Sequence, residues 1–244
     1  MSNITPDVLV SELAAREPAT IRVFQKHEIE FCCGGRIPLA EACARQGIAV
    51  APLLDELRDA VDGTPDVANW EHAPFSAIIA HIQSRYHEPL REELPRLSSM
   101  IAKVVSRHGA RLAETVIPLQ ATFEELKSEL LDHMAKEDAV LFPAIAALEG
   151  GGPQMHGTTG PGWIAQPISV MEAEHEAAGE ALATLRRLTR GYTPPADACP
   201  TLRGLYFGLA ELERDMHVHV HLENHVLFPR VEAVARQTAG EQRA

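Results

Sequence analysis

The chain has 244 residues and a formal net charge of −12, with 45% hydrophobic but only 5% aromatic residues. No cluster of lysine and arginine is suited to a phosphate backbone, which argues against a nucleic-acid partner. No apolar run approaches the roughly 18 residues of a membrane-spanning helix, and no charged-then-apolar leader opens the chain, so we predict a soluble cytoplasmic protein with no membrane partner.

The first sixty residues are typical of several short helices. Alanine, leucine and glutamate recur, and residues that favour strands are sparse. Pro18 and the Gly34-Gly35 pair are among the breakers between the helices. The predicted helices are 5–16, 19–27, 39–46 and 51–61. We therefore predict a small helical domain at residues 1–62, followed by a polar linker at 62–70 that lets it shift.

Four longer stretches with apolar residues at helical spacing follow the linker. They span residues 74–108, 112–147, 167–190 and 200–238. Pro89 and Pro95 are predicted to kink or divide the first stretch unless packing overrides them. The Gly/Pro-rich segment 150–162 is predicted to be an exposed loop, either a solvated connection or a gate at the bundle end. The predicted fold class is all-α, with a four-helix bundle at residues 72–240.

An internal repeat marks the second and fourth long helices. His133-Met-Ala-Lys-Glu137 in one corresponds to His219-Val-His-Leu-Glu223 in the other, at a constant offset of 86 residues, and Val-Leu-Phe-Pro follows shortly after each glutamate. Residues four apart on an α-helix point to nearly the same side, so each His-Glu pair can bind one ion. The repeat predicts two related helical hairpins.

The first and third long helices each add one histidine to these pairs. His87 and His175 lie 88 residues apart, and together with the pairs they supply four imidazoles and two carboxylates. If both carboxylates bridge and one solvent-derived oxygen also bridges, two metal ions are held with room for an external ligand. Such donors favour iron, although manganese or zinc occupancy stays open. The predicted metal ligands are His87, His133, Glu137, His175, His219 and Glu223.

The remaining histidines are interpreted as ordinary helix residues. His72, His81, His108 and His156 stand alone in the pattern. The run that also contains His217, His221 and His225 is ambiguous by itself, because its last two members form another pair four residues apart. The repeat favours His219, since only that histidine of the run has a counterpart in the second helix.

At these motifs the chain resembles the repair-of-iron-centres family of di-iron proteins, of the YtfE/ScdA type, over nearly its whole length. Phe31-Cys32-Cys33-Gly34-Gly35 is similar to the Cys-Cys-Gly-Gly signature of that family's leading domain. Four segments resemble its hemerythrin-like domain: Arg85-Tyr86-His87, His133 to Glu137, Pro167 to His175 and His219 to Pro229. The resemblance implies a hemerythrin-like four-helix bundle with two iron ions on the same six ligands, in an oxo- or hydroxo-bridged and carboxylate-bridged centre.

The family resemblance also implies a function. It implies repair of iron–sulfur clusters damaged by nitrosative or oxidative stress, by iron donation, by nitric oxide reduction at the di-iron centre, or by both. The implied partners are damaged iron–sulfur proteins and the small ligands nitric oxide or dioxygen. An iron donor is favoured over a dedicated metabolic enzyme. The alternatives are an oxygen or nitric oxide binding or sensing module and a structural helical protein with adventitious metal. Monomer and homodimer both stay open.

The cysteines allow two interpretations. Adjacent cysteines rarely bond to each other, because the ring they close forces the peptide out of its planar trans form. Cys32 and Cys33 are therefore either buried thiols or a soft-metal and redox handle, and the resemblance favours a functional, catalytic thiol role. Cys43 and Cys199 are predicted to be core or boundary residues. Four cysteines are too few for a disulfide scaffold, which indicates a reducing compartment.

Overall fold

The computed structural model describes residues 4–63, 70–149 and 163–241, and these ranges contain helices and no strand. The ten α-helices are α1 (Val10–Arg16), α2 (Ile21–Lys26), α3 (Leu39–Gln46), α4 (Val50–Asp62), α5 (Phe75–Ile82), α6 (Glu88–Lys136), α7 (Phe142–Glu149), α8 (Ala165–Leu188), α9 (Pro200–His221) and α10 (Phe228–Glu241). A 3₁₀ turn at Pro18–Thr20 leads into α2. The predicted all-α class with a smaller N-terminal helical region is confirmed. No helix in the described ranges has the length and apolar character that crossing a membrane requires.

The first helix begins later than the sequence pattern predicts. α1 starts at Val10 rather than at residue 5. The residues before it pair with the chain that precedes α3 instead: the N–H of Val10 donates to Ile37 O at 3.0 Å, and the N–H of Leu39 donates to Val8 O at 2.9 Å. These backbone bonds satisfy polar groups that an additional helical turn would otherwise have bonded.

In the part of the chain that the structure describes, three π-helical turns connect consecutive helices. They are Gln83–His87, Glu137–Leu141 and Leu222–Leu227. Pro89, Pro143 and Pro229 each stand two residues after the end of one turn. Proline has no N–H to donate, and in each case the residue before it donates to the carbonyl five residues back. The helical path thus continues past proline through a widened turn, and wide turns of this kind are frequent at functional sites.

Packing overrides the division of the first long helix that Pro89 and Pro95 would otherwise cause. A π turn ends just before Pro89, and α6 continues through Pro95. Leu94 and Leu97 on either side of that proline are fully buried, so core packing offsets the hydrogen bond that proline cannot make. The helical geometry breaks instead at Leu112, with φ −117° and ψ 23°, between the predicted helices 74–108 and 112–147.

The chain forms two compact units, each described by itself. Unit 1 contains the residues up to Ile78 and from His217 onward, and unit 2 contains the described residues between them. The sequence-based boundaries at residues 62 and 72 stay a prediction. Most of the predicted linker (64–69), the predicted loop (150–162) and His156 lie outside the described residues.

The N-terminal helices of unit 1 form a hydrophobic core, and its C-terminal helical segment packs against that core. Phe24, Phe31, Leu39 and Leu57 are among its most deeply buried members, and Val218 packs against the same cluster. The segment that follows His217 is therefore part of the structure that holds the N-terminal helices.

Unit 2 is a closed bundle of four helical arms: the two halves of α6 on either side of Leu112, α8, and α9 as far as Met216. Side-chain contacts join the arms in turn: Gln83 to Asp138 at 2.8 Å, His133 to Glu174 at 2.8 Å, Arg186 to Glu213 at 2.6 Å and Arg85 to Asp215 at 3.1 Å. The ends of these arms position the candidate metal ligands.

Candidate metal centre and cysteine loop

Four of the six predicted ligands come together in unit 2. His87 is the last residue of the first π turn, and Glu137 is the first residue of the second. His133 lies one helical turn before Glu137 on α6, and His175 lies on α8. All four are buried, with at most 3% of the residue surface exposed. Buried histidine and carboxylate side chains need strong partners.

The separations between these donor atoms fit a bound cation. Glu137 Oε2 lies 3.4 Å from His87 Nε2 and 3.3 Å from His133 Nε2, and His175 Nε2 lies 3.0 Å from His133 Nε2. Donors on one ion with bonds of about 2.0–2.2 Å are about 3.0–3.5 Å apart. Imidazole nitrogens and a carboxylate suit iron, and they also suit zinc and manganese.

The outer nitrogen of two of these imidazoles faces a carboxylate. His87 Nδ1 lies 3.0 Å from Asp138 Oδ1, and His133 Nδ1 lies 2.8 Å from Glu174 Oε2. A carboxylate accepts, so Nδ1 carries the proton and Nε2 keeps its lone pair for a metal. This arrangement fixes both the tautomer and the orientation of a ligand ring.

Both carboxylates are held as anions by further partners. Burial raises the pKa of Asp138, but hydrogen bonds from Gln83 and Arg91 and the neighbouring His87 outweigh it and hold this pKa below its ordinary value. Burial likewise raises the pKa of Glu174. The hydrogen bonds from Lys136 and His133 lower it by more, so this pKa also lies below its ordinary value. Neither acid was predicted from the sequence, although each is adjacent along the chain to a predicted ligand, Glu137 or His175.

The other two predicted ligands belong to unit 1. His219 lies on α9, and Glu223 lies in the third π turn. Both are buried, and His219 Nε2 lies 3.0 Å from Glu223 Oε1. The predicted pairing of a histidine and a glutamate four residues apart is therefore present at both copies of the repeat. The assembly of all six side chains into one centre stays a prediction.

A cavity of about 690 Å³ in unit 2 reaches two of the imidazoles. His133 and His175 line it, together with three acidic residues and one basic residue: Glu129, Asp132, Glu174 and Lys136. Acidic side chains attract cations, and the space is large enough for a small external ligand.

The two adjacent cysteines have different environments in unit 1. Cys32 is buried and Cys33 is exposed, and the functional thiol role of the pair stays a prediction. The Glu30 carboxylate accepts from the N–H of Cys32 at 2.8 Å, from the N–H of Cys33 at 3.2 Å and from the Cys32 thiol at 2.8 Å. The hydrogen bond with Cys33, burial and the nearby carboxylate raise the pKa of Cys32 well above its ordinary value, so this thiol is protonated at neutral pH.

Two histidines that the sequence analysis left ambiguous hold this cysteine loop, residues 30–33. His221 Nδ1 donates to Phe31 O at 3.1 Å, and His225 Nε2 donates to Cys32 O. Burial and the neighbouring His225 lower the pKa of His221 to about 4, so its ring is neutral. Their spacing of four residues was the available signal, because it places both rings on one helix face.

The remaining cysteines and lone histidines lie in less specialised settings. Cys43 is buried within α3. Cys199 is half-buried, with its Sγ 3.2 Å from His108 Nε2. His72 is exposed, and the ring of His81 packs edge-on against Tyr86.

Two family models match the chain. The hemerythrin HHE cation binding domain matches residues 78–231, and the ScdA N-terminal domain, described as a domain of unknown function, matches residues 7–61. Together the two matches extend over both segments that the sequence analysis distinguished.

Several curated relatives are similar over most of their length. The iron-sulfur cluster repair protein YtfE of Edwardsiella ictaluri is 42% identical over 224 residues, which cover 91% of this chain and 95% of the relative. ScdA of Staphylococcus haemolyticus, also named an iron-sulfur cluster repair protein, is 36% identical, with 92% and 98% covered. The probable iron-sulfur cluster repair protein of Haemophilus influenzae is 36% identical, with 91% and 95% covered.

Proposed function

The chain belongs to the family of iron–sulfur cluster repair proteins that carry a hemerythrin HHE domain, and we propose that it repairs damaged iron–sulfur clusters by donating iron. The observation that carries this proposal is similarity to repair proteins over more than nine-tenths of the chain. The family predicted from the sequence motifs is confirmed.

We propose that two iron ions are bound by the six predicted ligands: His87, His133, Glu137, His175, His219 and Glu223. The donor spacing in unit 2 supports the part of this site that lies there. Iron supplies a redox-active cation with exchangeable positions when bound. The protein side chains bind and orient it: Asp138 and Glu174 keep the Nε2 lone pairs of two imidazoles directed at the metal position.

The cavity beside His133 and His175 supports exchange of iron with the outside. A donor must release its iron. The cavity lining carries three acids against one base, Lys136, so its net negative charge lowers the electrostatic cost of moving a cation along it. We propose that iron passes along this side of the bundle toward the damaged cluster protein. The thiol side chains at the other candidate site, Cys32 and Cys33, require a reducing compartment, which agrees with a cytoplasmic location.

A repair assay with isotopically labelled iron tests the proposal. Protein loaded with labelled iron is mixed with an iron–sulfur enzyme damaged by nitric oxide, in the presence of a chelator that removes iron from solution. Recovery of enzyme activity together with transfer of the label is expected. The Glu137→Ala variant should show neither, and the His72→Gln variant, at an exposed position, should match the intact protein. Equal recovery with Glu137→Ala would overturn the proposed role of the site.

A second candidate is binding or reduction of nitric oxide, with dioxygen as a competing small ligand. The cavity that reaches His133 and His175 favours it, because a small ligand gains access to the metal position. The same assay separates the two functions: recovery of the damaged enzyme without transfer of the label supports removal of nitric oxide over donation of iron.

A further inference from the structure

The cysteine loop presents a second set of metal-binding atoms, separate from the six predicted iron ligands. A Glu30 carboxylate oxygen, the Cys32 sulfur and a His217 ring nitrogen all lie within 4.8 Å of one another. All three residues belong to unit 1. We propose that Glu30, Cys32 and His217 bind one divalent transition metal, such as Fe²⁺ or Zn²⁺, at a site of their own.

The donors are fixed in place by contacts on two sides. On the loop side, the Glu30 carboxylate is held by the N–H groups of Cys32 and Cys33. On the helix side, His217, His221 and His225 follow one another at intervals of four residues, and the last two hold the loop carbonyls. The His217 ring packs edge-on against the Phe31 ring, with the ring centroids 6.1 Å apart. A site with donors positioned before binding loses less entropy when the metal arrives.

The thiol proton occupies the position that a cation would take. The Cys32 thiol donates to Glu30 Oε1 at 2.8 Å, so a metal between sulfur and oxygen replaces that hydrogen bond. Binding releases one proton to water as the thiol becomes a thiolate ligand, with no change in oxidation state. The reaction therefore needs no oxidant or reductant.

Cys33 lies outside the cluster of three donors, but its thiol is adjacent to Cys32, and its binding to the same ion would release a second proton to water. Cys33 Sγ lies 3.8 Å from Cys32 Sγ. Two thiolates on a tetrahedral ion with metal–sulfur bonds of about 2.3 Å are about 3.8 Å apart. The observed spacing thus agrees with joint binding of one ion, which distinguishes the pair from an isolated cysteine.

The donor types restrict the metal. Thiolate and imidazole select Zn²⁺, Fe²⁺ or Co²⁺, whereas Mg²⁺ and Ca²⁺ prefer all-oxygen sites. The proposed site goes beyond cluster repair, because it holds whether or not the protein donates iron. Its signature is a metal–thiolate bond, which none of the six predicted iron ligands can form.

Titration of the full chain with Co²⁺ tests this site. The protein is first loaded with iron and kept reduced, and the thiolate-to-cobalt charge-transfer absorption is then followed. One equivalent of Co²⁺ should saturate the band. The Cys32→Ser variant should lose it, and the His217→Gln variant should bind at least about tenfold more weakly. Cys199→Ser, at a thiol in unit 2, is the matched control and should behave like the intact protein.

Three results would overturn the site: no thiolate band in the intact protein, a band that survives Cys32→Ser, or unchanged affinity in His217→Gln. Circular dichroism establishes that each variant is folded. If Cys32→Ser does not fold, Glu30→Gln replaces it, because the amide oxygen still accepts from the loop N–H groups while the negative charge is lost. Unchanged Co²⁺ affinity in Glu30→Gln would then overturn the proposal, and a loss of about tenfold or more would support it.

Discussion

His133 Nδ1 lies 2.8 Å from Glu174 Oε2, and this contact joins a metal-binding ring on α6 to a carboxylate on α8. Lys136 bonds the other oxygen of the same carboxylate. The carboxylate is thereby fixed on both sides, and the imidazole it orients keeps its Nε2 directed at Glu137 and His175. Glu174 is a positioning residue, because it acts on the metal position through His133.

Replacing this carboxylate should weaken metal binding without removing a ligand. In Glu174→Gln the amide loses the charge that stabilises the Nδ1 proton, and we expect iron affinity to fall by about ten- to a hundredfold. Competition with a chelator of known affinity measures the change. Glu176→Gln, at an exposed position two residues away, is the control and should bind iron like the intact protein. Equal iron affinity in both variants would mean that Glu174 has no effect on the metal position.

Removal of a predicted ligand should have a larger effect. In His133→Ala, Glu137→Ala, His219→Ala and Glu223→Ala, we expect iron affinity to fall by more than about a hundredfold. The melting temperature of the iron-loaded protein should fall as well, because metal-binding energy adds to folding energy. Iron analysis and thermal melts measure both. His72→Gln is the control, since this exposed histidine lies outside the repeat. Iron loss in His72→Gln equal to that in the ligand variants would refute the assignment by repeat.

The two glycines that follow the cysteines should differ in their tolerance of a methyl group. A Cβ on Gly35 would lie 2.6 Å from the backbone oxygen of Phe31, whereas a Cβ on Gly34 would meet only the Glu30 side chain, at 3.1 Å. A flexible side chain can move away from an added methyl group, whereas the backbone cannot. Gly35→Ala should therefore lower the free energy of unfolding by about 1–3 kcal/mol, more than Gly34→Ala does. Chemical denaturation of both variants measures it. A smaller loss in Gly35→Ala than in Gly34→Ala would contradict the close approach.

The sequence alone predicted the all-α class correctly, and the ligand set drawn from helical spacing stays a prediction. The all-α class followed from periodicity, and the contacts between Glu137 and two histidines in unit 2 agree with the ligand set drawn from the repeat. The π turns were not predictable from a period of 3.6 residues, because one additional residue in a turn leaves the local apolar pattern almost unchanged. At Pro89 the sequence predicted a kink or a division instead, and at the other two turns it predicted an uninterrupted helix.

The contacts that join distant parts of the chain could not be predicted from a single sequence either. His221 bonds the carbonyl of a residue 190 positions earlier, Phe31, and nothing in the local pattern of either segment indicates this. The carboxylate partners Asp138 and Glu174 are a similar case, since acids are common on helices and only their position relative to an imidazole gives them a role. The sequence showed which side chains could bind a metal or accept a proton. Their orientation relative to one another became known only from the structure.

The two adjacent cysteines should react with an alkylating reagent at different rates. Cys33 is exposed, whereas Cys32 is buried and has a raised thiol pKa. The thiolate is the reactive form, so Cys33 should be modified at least about tenfold faster at neutral pH, since one pKa unit changes the thiolate fraction about tenfold. The rate at Cys32 should continue to rise above pH ~9.5, where an ordinary thiol with a pKa of about 8.5 is already largely ionised.

Mass spectrometry of peptides after timed exposure to iodoacetamide measures both rates in one sample. Cys43, buried within α3, serves as an internal control, because its modification reports unfolding of unit 1 rather than local access. Equal rates at Cys32 and Cys33 with Cys43 still protected would mean that the loop opens in solution and that the bonds from His221 and His225 do not hold it. If Cys32 instead stays protected in the intact protein and becomes reactive in His225→Ala, these histidine–carbonyl bonds are what keep the thiol enclosed.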